Sequence, residues 1–147
     1  MSGSVEVHVV TPEREVWAGE AESVIAHGVD GEVGILTGHA PMMVQLSIGP
    51  LRILREGEPE LRAVIDGGFM HVTSAGTDAG EGEGTAGSRV DVLASSAELA
   101  DDIDVEAARA RAAELEQRLT QIADDDPEAA SLTAEHDKAL ARINLVG

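Results

Sequence analysis

Cysteine and tyrosine are absent from the 147 residues, and the aromatic side chains amount to Trp17 and Phe69. Without cysteine there are no disulfides, no thiolate catalysis, no iron–sulfur clusters and no cysteine-based zinc sites. Two aromatic rings are too few for base-stacking or sugar-stacking platforms. Cations are scarce as well: ten Lys and Arg stand against 28 Asp and Glu, for a net charge of −18, and Lys138 is the sole lysine. Such a chain repels phosphate backbones and anionic lipid surfaces, so nucleic acid is not an expected partner. Nowhere do about 18 apolar residues run together, and no positive segment followed by an apolar run opens the chain. Neither a membrane span nor a secretory leader is therefore expected, and any membrane association must come through a partner.

Local catalytic and metal-binding patterns are missing too. With no lysine before Lys138, a GxxxxGK[ST] phosphate loop cannot form in the glycine-rich first part, and no GxSxG elbow occurs. His8, His27, His39, His71 and His136 never fall as HxH or HExxH, the spacings that put two imidazoles on one face of a strand or helix. A metal site assembled from distant strands stays open on spacing alone. Trp17 reads as a packing anchor.

From Val5 to about Ala94 the chain alternates short Val/Ile/Leu runs with turn residues, the pattern of an all-β sandwich or barrel. Val5-Glu6-Val7-His8-Val9 alternates with period two, burying the valines and turning Glu6 and His8 to the opposite face. A second strand is expected over Val16 to Ala26. Turn signals recur at Asp30-Gly31, Gly38, Gly49-Pro50, Gly57 and Gly67-Gly68. Residues 74–88 hold nothing apolar larger than alanine and read as a flexible, acidic, glycine-rich loop inserted between two strands.

Beyond Ala94 the period changes. Val105, Ala108, Ala112, Leu115, Leu119 and Ile122 follow 3/4 spacing, with Asp104 as N-cap and Glu106 in the first turn. A second helix, capped by Asp126 with Pro127 at its first position, carries Ala129, Leu132, His136, Ala139, Ile143 and Val146. The organisation expected is a β-sandwich over 1–95 followed by an antiparallel two-helix hairpin over 96–147. Its seam is rich in alanine and weakly held, since an alanine methyl contributes far less than the ~1.5–3 kcal/mol of a buried leucine.

One run is far more specific: Asp30-Gly31-Glu32-Val33-Gly34-Ile35-Leu36-Thr37-Gly38-His39-Ala40-Pro41-Met42. It resembles the DGE-x-GIL-x-GHAP segment of the epsilon subunit of bacterial F-type ATP synthase. The similarity extends to Thr11-Pro12-Glu13, to Asp66-Gly67-Gly68-Phe69 and to the terminal hairpin, and so covers the chain apart from residues 74–88. The resemblance implies a flattened sandwich of about ten strands and a mobile regulatory hairpin. It implies a non-catalytic central-stalk rotor subunit on the cytoplasmic face of the membrane, partnered by the gamma subunit and the c-subunit ring. The alpha and beta subunits would be met transiently through the hairpin, which would hold back ATP hydrolysis. The contact loop to the ring and gamma would comprise Asp30, Gly31, Glu32, Gly38, His39, Ala40, Pro41 and Met42. Relatives that bind ATP carry [IL]DxxRA on the first hairpin helix. Here Ile103-Asp104-Val105-Glu106 is followed by Ala107 where the arginine belongs, and Arg109 lies about 200° round the helix. No cofactor is expected, and ATP binding should be absent or weak. The rival reading is a non-catalytic β-sandwich that binds a ligand or metal.

Overall fold

The computed structural model describes residues 4–75 and 87–146. Ten strands come first: β1 (Val5–Val10), β2 (Glu15–Ala21), β3 (Ser23–Gly28), β4 (Gly31–Leu36), β5 (Met42–Leu46), β6 (Gly49–Leu54), β7 (Leu61–Ile65), β8 (Gly68–Ala75), β9 (Gly87–Ala94) and β10 (Ala97–Leu99). A 3-10 turn, Ala100–Asp102, leads to α1 (Val105–Leu119) and α2 (Pro127–Val146). The strands form one hydrogen-bonded path in the order β10-β7-β6-β3-β5-β8-β9-β1-β2, with β4 paired to β3, and the sheet folds back on itself as a sandwich. All pairings are antiparallel except β1 with β9.

Alternation decides the faces. Val5, Val7 and Val9 are buried on β1, Met70 and Val72 on β8, and Val90 and Val92 on β9, and they meet Val24, Ile35, Leu51 and Ile53 in one core. The intervening residues of β8 and β9 point outward, as the two-residue period of a strand requires. Trp17 packs against the edge of this core, its ring so close over Gly19 that a Cβ there would lie 2.8 Å from it.

Three sequence expectations are corrected. The strand expected over Val16 to Ala26 is two strands, because the chain changes partners at Glu22: Ala21 pairs with Val5 of β1, while Ser23 pairs with Leu36 and Leu54. The Glu22 amide donates to the Leu54 carbonyl at 2.7 Å, so the break leaves that group satisfied. The expected loop over 74–88 begins and ends as strand, with Ser74 opposite Ser88 and Ala75 opposite Gly87, and its remainder lies outside the described residues. On α2 the apolar stripe ends at Leu145, which is buried, and Val146 is exposed. There α2 has run past the shorter α1 and packs on β6 and β7 instead, which rotates the buried direction.

The helix caps form as the sequence indicates. Asp104 Oδ1 accepts from the Ala107 amide at 3.0 Å, and Asp126 Oδ1 from the Glu128 amide at 2.8 Å. Ala108, Ala112 and Leu115 of α1 and Leu132 and Ala139 of α2 form the buried seam. Arg111 Nε–Glu135 at 2.6 Å and His136 Nε2–Glu116 at 2.9 Å bridge the helices above it. The hairpin lies against the sandwich through α2. Arg142 Nε meets Glu98 at 2.6 Å, Lys138 Nζ meets Asp66 at 3.4 Å, and Arg62 Nη1 donates to the Leu145 carbonyl at 2.7 Å.

Candidate interaction surface

The eight residues expected in one contact loop are divided by β4. Asp30 and Gly31 make the tight turn between β3 and β4, with Gly31 at φ +129° and Gly28 opposite it. Glu32 follows on β4, exposed and across from His27. Gly38, His39, Ala40 and Pro41 lie at the other end of β4, roughly 17 Å away for a six-residue strand, and lead into Met42 at the start of β5. This second loop is fixed from three sides. The Gly38 amide, at φ +87°, donates to Ser88 Oγ at 2.9 Å, the His39 amide donates to the Leu36 carbonyl at 3.1 Å, and His39 Nδ1 donates to the Ala40 carbonyl at 2.8 Å. Ser88 is buried at the start of β9, so it anchors the loop to the far side of the sheet. Met42 is half-buried against the core and is the one member of the eight that belongs to the packing.

The turn at Asp30 continues into a feature the motif did not signal. Phe69 of β8 faces Leu93 of β9, and Met43 of β5, opposite His71, lies two residue pairs along from the Gln45–Phe69 pairing and so on the same face. These three side chains are 47 %, 49 % and 58 % exposed, and Val29 beside them is 51 % exposed. Together they form an exposed apolar patch, the kind of surface at which proteins meet partners. A groove of about 440 Å³ lined by Val29, Asp30, Glu32, Met43 and Phe69 joins the patch to the β3–β4 turn. Sequence alternation alone could have exposed it: the apolar residue of the Phe69-Met70 and Leu93-Ala94 steps that falls out of phase with the core must face outward.

The rest of that face is charged. His71, Asp91 and His8 stand side by side on β8, β9 and β1. Arg89 pairs with Asp91 at 3.0 Å and with Glu6 at 3.4 Å. His8 reaches Glu15 through Nδ1 at 2.9 Å and Glu6 through Nε2 at 2.8 Å. Both ring nitrogens face carboxylates, an arrangement that favours the doubly protonated imidazolium, in which both can donate. Hydrogen bonding to Glu15, and then to Glu6, raises the His8 pKa, and the bond from His8 lowers that of Glu6. Among the described residues no group of three His, Asp or Glu converges as a metal site, and no helix is long and apolar enough to cross a membrane.

Known proteins resemble this chain along most of its length. The profile of the ATP synthase Delta/Epsilon chain beta-sandwich domain matches residues 4–78. The ATP synthase epsilon chain of Brevibacillus brevis is 44 % identical over 115 residues, covering 78 % of this chain and 77 % of its own. That of Thermobifida fusca is 46 % identical over 112 residues, 75 % of this chain and 73 % of its own. That of Microcystis aeruginosa is 35 % identical over 146 residues, 98 % and 96 % of the two chains, and so includes the hairpin. Among solved structures, a chain of the Euglena gracilis mitochondrial ATP synthase superposes with a TM-score of 0.75 at 20 % identity, over 96 % of this chain and 80 % of that one, which supports the fold. With a ten-stranded sandwich, a two-helix tail and these relatives, the chain belongs to the ATP synthase epsilon chain family.

Proposed function

We propose that this chain, a non-catalytic stalk subunit by family, transmits torque between the c-subunit ring and the gamma subunit, using the face that carries Val29, Met43, Phe69 and Leu93. The exposed apolar patch carries this reading. It is rigidly backed by β5, β8 and β9, and it is continuous with the Asp30-Gly31-Glu32 turn. In this reading the patch supplies the binding energy against gamma. The turn and the Gly38–Pro41 loop, at the two ends of β4, make polar contacts to the ring or gamma. Placing the complex at the cytoplasmic face of the membrane, without insertion of this chain, belongs to the same proposal.

The test is copurification from gently solubilised host membranes, with a tag on this chain. Recovery of gamma, alpha, beta and the ring in near-stoichiometric amounts is expected; a clean monomer overturns the proposal. Covering the exposed halves of Phe69 and Leu93 contributes about 1 kcal/mol each, so Phe69→Glu with Leu93→Glu should reduce recovery of gamma by tenfold or more while the chain stays folded.

The hairpin, in the same proposal, holds back ATP hydrolysis by leaving the sandwich and reaching towards the alpha and beta subunits. Its alanine-rich seam and its few, half-exposed polar ties to the sandwich are consistent with two states a few kcal/mol apart. Removing residues 101–147 should raise membrane ATPase activity, and unchanged hydrolysis counts against the role. In the same proposal ATP binding to the hairpin is absent or weak: Ala107 has no donor at the motif's arginine position, and Arg109 pairs with Glu106 at 2.9 Å.

A further inference from the structure

Between α2 and the sheet runs a cleft that shares no residue with the contact surface proposed above. It encloses about 610 Å³ and is walled by Ile48 and Pro50 from the sheet and by Leu140, Ala141 and Leu145 from α2. That volume is in the range of small-molecule sites, which favour apolar walls, a few convergent polar groups and the junction of two structural units. Leu140 is 36 % exposed here, an apolar surface that the docked hairpin leaves uncovered.

The polar groups choose the ligand. Arg52 is neutralised within the wall, since Glu60 spends both oxygens on it, at 2.5 Å and 3.3 Å. Arg62 is different. It donates Nη1 to the Leu145 carbonyl at 2.7 Å, a neutral partner, and no carboxylate among the described residues pairs with it. Glu60, the acid in the same wall whose carboxylate feels the Arg62 charge, has both oxygens held by Arg52, so Arg62 keeps donors to offer. Its remaining guanidinium donors favour an anion with planar, two-oxygen geometry. Asn144, one residue from Leu145, adds an amide at the same end. The one acid contributed by α2, Asp137, lies eight residues from Leu145, about 12 Å along the helix, so it repels an anion from the far end only.

We infer that this cleft binds a small amphipathic carboxylate, with its head on Arg62 and Asn144 and its apolar chain along Ile48, Pro50, Leu140 and Ala141. The ligand touches α2 and the sandwich at once. Binding therefore favours the docked hairpin over any state in which α2 leaves the sheet, by mass action. The inference stands apart from the stalk role: the isolated chain suffices to test it, and gamma is not required.

Decanoate is the probe, titrated calorimetrically into the full chain near neutral pH, with decanol as the uncharged control. Saturable 1:1 binding is expected, with decanol at least tenfold weaker. Arg62→Gln should weaken decanoate at least tenfold, and Arg62→Lys, which keeps the charge, by only a few-fold. Because Arg62→Gln also loosens the end of α2, Ala141→Trp supplies the independent check, filling the cleft from the helix without touching the Arg62 contact, and it should abolish binding. Decanol binding as well as decanoate, undiminished binding in the Ala141→Trp chain, or no saturation at all would each overturn the inference.

Discussion

Gly67 and Gly68 are neighbours with positive φ, +73° and +116°, yet a side chain at each should have very different effects. A Cβ on Gly67 meets nothing nearer than Ser95 Oγ at 3.9 Å, an ordinary contact. Gly67→Ala therefore adds only left-handed strain, roughly 1–2 kcal/mol. A Cβ on Gly68 lands 2.2 Å from the Leu93 carbonyl oxygen and 2.8 Å from Ala94 Cα. Those are backbone atoms of β9, and Gly68 is itself paired with Ala94, so nothing can rotate aside and the ladder must part. Strain of about 1–3 kcal/mol, with one or two ladder hydrogen bonds lost at about 0.5–1.5 kcal/mol each, gives about 1.5–6 kcal/mol, with a mid-value of about 4 kcal/mol. That is a large share of the ~5–15 kcal/mol typical of a domain. Urea denaturation followed by the lone Trp17 and by circular dichroism measures both variants. If Gly68→Ala is within 1 kcal/mol of Gly67→Ala, the clash does not control this corner and the reasoning fails. Since Phe69 and Leu93 flank the contact, a surviving Gly68→Ala chain should also bind gamma less well.

Docking of the hairpin rests in part on half-exposed charge pairs, so it should weaken with salt. Glu98→Gln with Asp66→Asn removes two ion pairs worth about 0.2–1 kcal/mol each; energy transfer from Trp17 to a dye on a cysteine introduced at Glu128 should fall, and about 0.5 M salt should lower it in the unmodified chain but little in the variant. A salt-insensitive signal in both would show that apolar contacts alone hold α2 down. His8 has its own pH window. The folded state holds the imidazolium proton more tightly than the unfolded chain does, so its contribution is complete below the ordinary value of 6.5 and is lost as pH rises through the raised folded value. Glu6, held low by His8, contributes above 4.5 and loses its part as pH falls. The stability difference between the native chain and His8→Gln should shrink as pH rises above the ordinary value of 6.5; a difference that is flat or grows with pH would exclude the Glu6–His8–Glu15 arrangement.

Local chemistry wrote the punctuation of this fold into the sequence. Gly31, Gly38, Gly57, Gly67 and Gly68 all adopt positive φ at places where the glycine pattern marked turns, and Asp104 and Asp126 cap the helices they precede. What could not be read depended on partners distant in sequence. β10 is three residues long and exists because Ala97 to Leu99 pair with β7. The break at Glu22 reflects a change of partner strands, which no window centred on it contains. The motif over 30–42 identified the family, but as a string it looked like one surface. Only the course of β4 divides it into two ends and sets the first beside Phe69 and Leu93, which come from strands far downstream. The neutral partner of Arg62 was equally hidden, since the Leu145 carbonyl it meets lies 83 residues away in the sequence.

The one parallel pairing bears on how the chain is made. β1 lies between β2 and β9, and its Glu6 stands opposite Arg89, 83 residues later. On the ribosome the β1–β2 hairpin emerges first, with the inner edge of β1 and its three valines uncovered. The native partner of that edge is missing until Gly87–Ala94 has cleared the exit tunnel. Contacts of such long sequence separation make folding slow, and an open, valine-rich edge is a template for the wrong strand. The nascent chain therefore passes through an interval of vulnerability set by the rate of translation, closed when the ninth strand slides in beside the first.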